Sequence, residues 1–326
     1  MLISRRMRAV ACSTAMTAIG LAAAPAHAQT GRYDGVNWAD PRDNFATDAL
    51  VLSGLSRSDS YNTVKAKAER FTREFYSKLG ANTIRIPINP ATVNSGSWSA
   101  YRGVIDGIRA AGANVIIAYW EGVKDGRIDN TAAYNTMWST VVGAYGSNGG
   151  VLFEPMNEPH NYSPTEWTDI AAAWLNRFPN VPRSRVVIDG TDYSAVTAPI
   201  CNDSRLNGTL VSLHNYGFWG NKTYDQWLAS WRDQVTPCAN RIIITEFGTT
   251  MNGGQNFNAP SSDNGVMYMQ AAAKIARDYN LGAVYWPGLR DGDGYSMTTR
   301  SGSGTTQTLN VVNSTGRDSL RYAWGM

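Results

Sequence analysis

The chain has 326 residues, 29 basic and 26 acidic, with 11 Trp and 16 Tyr. That length suffices for one large domain, and a nearly balanced charge without Lys/Arg clusters excludes the electrostatic footprint that nucleic acid or an anionic membrane surface requires. The expected partner is uncharged, and the aromatic load suits stacking on sugar rings, although any one Trp more often packs in a core.

Residues 1–28 read as a signal peptide. Arg5, Arg6 and Arg8 precede an Ala-rich apolar stretch, and Ala26-His27-Ala28 has the small-x-small pattern of a cleavage site. The expectation is a secreted protein, extracellular or periplasmic. Cleavage removes three basic residues and leaves 26 against 26 acidic, a formally neutral chain. It also removes Cys12, leaving Cys201 and Cys238, an even pair that in an exported protein suggests a disulfide. Only His160 and His214 remain among the histidines, too few and too scattered for a zinc site, and no other cofactor is called for.

From residue 29 to 326 no linker divides the chain, so a single domain and a monomer are expected. Short apolar runs alternate with amphipathic stretches. Tyr33–Trp38 is the first strand, and the helix Tyr61–Leu79, stopped by Gly80, leads to strand two, Asn82–Pro87. A helix over Ser99–Ala111 precedes strand three, Asn114–Trp120, and Thr131–Tyr145 returns the chain to strand four, which starts at Val151 and ends in Asn157-Glu158. Thr165–Phe178 is helical, with Ser163 or Thr165 as cap; Ser184–Asp189 is strand five and Thr209–Tyr216 strand six. Thr223–Gln234 is a helix, Arg241–Gly248 strand seven, Asn264–Tyr279 a helix, Gly282–Trp286 strand eight, and Arg317–Trp324 a closing helix. This alternation predicts an α/β fold, a (β/α)8 TIM barrel whose site lies at the carboxyl ends of the strands.

Arg85, Asn157, Glu158, His214, Tyr216, Glu246 and Trp286 all fall near the ends of strands, so they are predicted to converge on one face. Two glutamates delivered by separate strand tips suit glycoside hydrolysis, where one carboxyl protonates the leaving oxygen and the other attacks or activates water. A lone strand-end Glu is usually a solvated or paired charge; the pair in this setting says more. Glu154, four residues before Glu158, reads as a buried carboxylate with Arg85 as its partner.

Phe153-Glu-Pro-Met-Asn-Glu-Pro159, Ile242-Ile-Ile-Thr-Glu-Phe-Gly248, Ile84-Arg-Ile-Pro87, His214-Asn-Tyr216 and Tyr285-Trp286, in this order, resemble glycoside hydrolase family 5, the cellulase family of retaining barrel glycosidases. The resemblance implies Glu158 as acid/base and Glu246 as nucleophile of a double displacement. It implies Asn157 on the sugar 2-hydroxyl, Arg85 holding Glu246 ionised, His214 and Tyr216 bracketing that nucleophile, and Trp286 under the cleaved ring. Trp38 and Trp120 complete the expected substrate-binding set. Many members end strand three with a histidine; here Tyr119-Trp120 stands instead. The expected activity is a secreted retaining hydrolase of a polysaccharide or oligosaccharide, by default an endo-β-1,4-glucanase. The alternatives are the same mechanism on mannan, an exo-acting furanosidase, or a non-catalytic carbohydrate-binding barrel.

Overall fold

The computed structural model describes Thr30 and residues 33–326; the expected signal peptide lies outside the described residues. Eight short apolar strands, β1 (Asp34–Trp38), β2 (Thr83–Ile88), β3 (Asn114–Tyr119), β4 (Val151–Glu154), β5 (Val187–Asp189), β6 (Leu210–His214), β7 (Ile242–Glu246) and β8 (Gly282–Leu289), pair in parallel in the order β4-β3-β2-β1-β8-β7-β6-β5. A single parallel bridge from Phe153 to Val186 joins the two outer strands, so the sheet forms a nearly closed barrel. Around it run α1 (Tyr61–Leu79), α2 (Pro90–Val93), α3 (Trp98–Ala110), α4 (Thr131–Tyr145), α5 (Pro164–Arg177), α6 (Ala198–Asn202), α7 (Tyr224–Val235), α8 (Asn264–Asp278) and α9 (Ser314–Ala323). Among the described residues no helix is long and apolar enough to cross a membrane.

Local chemistry explains the element bounds. Ser60 accepts from the Thr63 amide at the start of α1, and Gly80, at φ 98°, turns its N–H back onto the Phe75 and Tyr76 carbonyls. Ser163 caps α5 in a capping box with Glu166. The buried face of α1 carries Val64, Ala68, Phe71 and Phe75, and it packs on α3 where Gly103 and Gly107 stand. A Cβ on Gly107 would lie 2.5 Å from the Lys65 carbonyl oxygen, so this close crossing depends on glycine.

Three elements depart from the sequence reading. Residues 183–185 form a 3-10 turn, so β5 is only Val187–Asp189; here the Arg185 guanidinium donates to the Val151 carbonyl at the foot of β4. The helix between β5 and β6 is the five-residue α6, too short to show a period. An antiparallel hairpin, β9 (Thr298–Ser301) with β10 (Thr308–Val311), follows β8 and is fastened to α1, where the Glu74 carboxylate accepts from the Leu309 amide at 2.6 Å.

Inside the barrel the two-residue period of each strand stacks side chains in layers. Ile116, Leu152, Val187, Leu210, Ile243 and Val284 close the amino-terminal end as an apolar plug with Tyr33. Two residues further along, the same strands bring Ala118, Glu154, Asp189, Ser212, Thr245 and Trp286 inward. Joined by Asn37 and Arg85, they make a buried, mostly polar layer directly beneath the cleft.

Candidate active site

Arg85, in the middle of β2 rather than at its end, organises this polar layer. Its five N–H donors are all taken: Nε and Nη2 by the two oxygens of Glu154, Nη2 also by Asn157 Oδ1 at 2.8 Å, and Nη1 by Asn37 Oδ1 at 2.9 Å and Glu246 Oε1 at 2.5 Å. Burial disfavours the guanidinium charge, but Glu154 and Glu246 more than offset it and raise the Arg85 pKa. The predicted Arg85–Glu154 partnership is therefore present, and the same cation fixes Glu246 and Asn157.

Glu246 reaches the cleft because the pairing of β6 and β7 shifts by one residue after Leu213 and Ile244. With one extra residue on β7, Thr245 and Glu246, adjacent in sequence, both meet interior groups. Thr245 Oγ1 lies 2.9 Å from His214 Nε2, while Glu246 receives Arg85 on Oε1 and the Tyr216 hydroxyl, at 2.7 Å, on Oε2. The resemblance implied that Arg85 holds Glu246 ionised. Burial instead pushes Glu246 upward, against the pull of His214, Arg85 and the Tyr216 hydrogen bond.

Glu158 and Asn157 do not end a strand as the sequence suggested. β4 stops at Glu154, because Pro155 and Pro159 offer no N–H to a ladder, and Glu158 sits on the following loop at φ 47°. Its backbone N–H donates to Asp189 Oδ1 at 3.3 Å. Burial raises its carboxyl pKa to about 7, with Arg85 opposing. His214 Nδ1 lies 2.9 Å from Glu158 Oε1 but 3.8 Å from Glu246 Oε2, so the imidazole serves the expected acid more closely than the nucleophile it was expected to bracket. From His214 a line of hydrogen bonds continues through Thr245 Oγ1 and Ser212 Oγ to Asp189, whose buried carboxyl is pushed well above its usual range.

One oxygen of Glu158, one of Glu246 and a ring nitrogen of His214 lie within 4.8 Å of one another. They open on a cavity of about 430 Å³ that Trp286, Trp120, Asn157 and Tyr216 also line. Trp120 and Trp286 stack with centroids 6.1 Å apart, and the Arg85 guanidinium lies 4.5 Å from the Trp120 ring. Trp120 thus occupies the end of β3 where many family members carry histidine. Tyr119 points the other way, edge-on to Tyr134 on α4.

Trp38 requires correction. Alternation along β1 turns Asn37 into the barrel and Trp38 outward, where its ring meets Phe71 of α1 at 5.4 Å and its Nε1 donates to the Ser53 carbonyl. It is a core residue and does not line the cavity. Sequence reasoning missed Asn37, Asp189, Ser212 and Thr245, because alternation alone leaves open which face of each strand turns inward. It also missed the loop residues at the cleft mouth: Asp43, Phe45, Lys124, His160, Tyr193, Phe218, Trp219, Arg290, Asp293 and Tyr295. Of these only the aromatic run Phe218-Trp219, just past strand six, carries a signal.

Residues 45–288 match the family model described as Cellulase (glycosyl hydrolase family 5). No curated protein matches the chain in sequence. Among solved structures, an endocellulase from Pyrococcus horikoshii in complex with cellotetraose is similar at 16% identity and TM-score 0.66, over 90% of this chain and 92% of that one. XacCel5A in complex with cellopentaose is similar at 13% identity and TM-score 0.62, over 89% and 99%. Cel5A (EG2) from Hypocrea jecorina (Trichoderma reesei) is similar at 19% identity and TM-score 0.58, over 86% and 96%. At these identities the structures share the fold, and the family model covers most of the chain: the protein belongs to glycosyl hydrolase family 5, the cellulases, and is a glycosidase.

Proposed function

We propose that this protein is a secreted, monomeric, retaining glycosidase of β-1,4-linked glucan chains, with Glu158 as acid/base and Glu246 as nucleophile. The observation that carries the reading is the pairing of two carboxylates, with oxygens within 4.8 Å, in different surroundings. Retaining enzymes hold their carboxyls about 5–5.5 Å apart, against about 6.5–9.5 Å where a water must fit between. Glu246 is gripped on both oxygens by Arg85 and Tyr216, as a nucleophile needs for a fixed line of attack. Glu158, with a pKa of about 7, keeps a proton to give at mildly acidic to neutral pH.

In the first step Glu246 attacks the anomeric carbon while Glu158 protonates the departing oxygen. In the second, Glu158, now ionised, takes a proton from water, which displaces Glu246. Asn157, held by Arg85, faces the cavity beside both glutamates and is placed to bond the sugar 2-hydroxyl. The cello-oligosaccharides bound to two of the similar structures support a glucan as substrate. Secretion rests on the Arg-led, Ala-rich segment before residue 29, and the amino terminus of the exported protein tests it.

Azide separates the two roles. With a dinitrophenyl glycoside, which needs little acid, Glu158→Ala should accumulate the intermediate, and azide should release it as the retained product. Glu246→Ala should lose turnover on every substrate and, with azide entering the vacated face, give the inverted product. Reversed stereochemistry would exchange the assignments, and undiminished activity in both variants would reject the site.

A further inference from the structure

The two ends of the cleft differ in chemistry. On the retaining reading Glu158, on the loop after β4, protonates the leaving oxygen, and we infer that the leaving part of the chain lies on its side of the cleft, toward the loops after β4, β5 and β6. The sugar that bonds to Glu246 lies over Trp286, toward the loops after β8, β1 and β3. The first end is aromatic and open: Tyr193, Phe218 and Trp219 are 44%, 66% and 42% exposed. The second end is charged, and ion pairs link its loops. Arg290 of the β8 loop reaches Asp43 of the β1 loop at 3.0 Å and Asp293 at 2.9 Å, while Lys124 of the β3 loop lies 3.8 Å from Asp43 and 4.6 Å over the Phe45 ring.

Further observations indicate a built wall. Asp43 and Asn44, at φ 66° and 63°, form a left-handed turn of a kind these two residue types adopt readily, whereas Lys124, at φ 63°, holds a conformation that persists where surroundings enforce it. The β3 loop also abuts the β1 loop: a Cβ on Gly122 would stand 3.1 Å from the Ala46 carbonyl oxygen. Sugars inside a chain are gripped mainly through their ring faces. The non-reducing end of a β-1,4-linked chain exposes one additional hydroxyl, at O4, which charged side chains bind strongly by hydrogen bonds.

We propose that the Asp43–Lys124–Arg290–Asp293 wall receives the non-reducing end of the chain, so that the enzyme removes short units from chain ends. This rests on the retaining-glycosidase reading and departs from the internal cleavage that the family resemblance implies. The cavity of about 430 Å³ is lined by Asp43, Lys124, Arg290 and Asp293 at one end and by Tyr193, Phe218 and Trp219 at the other, so the wall and the aromatics flank one continuous cleft. The exposed aromatics on the other side then carry the remainder of the chain by stacking.

The test uses the full mature protein on a panel of aryl β-glycosides and on oligosaccharides of the sugar it cleaves, cellohexaose first, labelled at the reducing end. The expected pattern is a labelled ladder that shortens one step at a time, unlabelled mono- or disaccharide from the first turnover, and little loss of viscosity of carboxymethylcellulose per bond cut. The double variant Asp43→Ala/Arg290→Ala should open the wall, adding mid-chain fragments and faster viscosity loss. Mid-chain cleavage by the unaltered protein from the first turnover would overturn the proposal while leaving the glycosidase reading intact. Absence of hydrolysis across the whole panel would instead sink that reading and this proposal with it. If the double variant does not fold, the ladder of the unaltered protein decides alone.

Discussion

His214 Nδ1 lies 2.9 Å from Glu158 Oε1, and burial holds the imidazole pKa at about 4, so the ring is neutral where Glu158 changes charge. A neutral imidazole has one donor and one acceptor nitrogen. Nδ1 accepts from Glu158 when the carboxyl is protonated and donates to it when ionised, with Thr245 adjusting at Nε2. The same contact thus serves both halves of a double displacement.

The rate should follow the ionisation of Glu158. On an aryl glycoside, kcat/KM should fall on the alkaline side with an apparent pKa near 7, the free-enzyme value of Glu158. Asp43 raises that pKa and Lys124 lowers it. Asp43→Asn should therefore move the alkaline limb down, and Lys124→Met should move it up. Salt should shrink the Lys124 effect, because its side chain is largely exposed. Shifts of the same sign in both variants would contradict this electrostatic picture.

Glu158 should also make stability depend on pH. Its folded pKa, about 7, lies above its ordinary 4.5, so the native state binds the proton more tightly. Stability is then lost as pH rises from about 4.5 through 7, and the full penalty remains above that window. Glu158→Gln stays neutral and should exceed the parent by about 3 kcal/mol above pH 7, with the gain vanishing below pH 4.5. Urea unfolding at several pH values measures this difference.

Arg85 is the residue whose loss should cost most. Arg85→Ala leaves Glu154 and Glu246 buried without their cation, an effect of about 3–5 kcal/mol. Arg85→Lys keeps the charge but cannot occupy all five acceptor positions, so it should recover part of the stability and little of the turnover. Thermal unfolding and aryl-glycoside kinetics on both variants check the distinction.

Cys201 and Cys238 are joined, with Cα atoms 5.6 Å apart, tying α6 to the 3-10 turn before β7. The unreduced protein should show no free thiol from this pair. Replacing both by Ser should lower stability by about 3–4 kcal/mol in the chain-entropy account. Thiol titration and calorimetry measure the two outcomes.

The amino-acid order alone determined the barrel and its chemistry, because both rest on local signals. α1 and α4 have the predicted bounds since Ser60, Gly80 and Asn130 cap them within a few residues. Glu158 and Glu246 stood out because Pro-flanked Asn-Glu and an apolar run ending in Glu are short-range patterns. Tertiary structure decided which side of each strand faces inward. That parity turned Trp38 into core and Asn37 into a partner of Arg85, and the register shift on β7 placed Thr245 and Glu246 in the interior together. It also assembled the wall of Asp43, Lys124 and Arg290, three loop charges far apart in sequence, each of which by itself reads as a solvated surface residue. No local pattern encodes such a wall, since the strand order β3-β2-β1-β8, which pairs the first strand with the last, gathers the loops after β1, β3 and β8 on one side of the cleft.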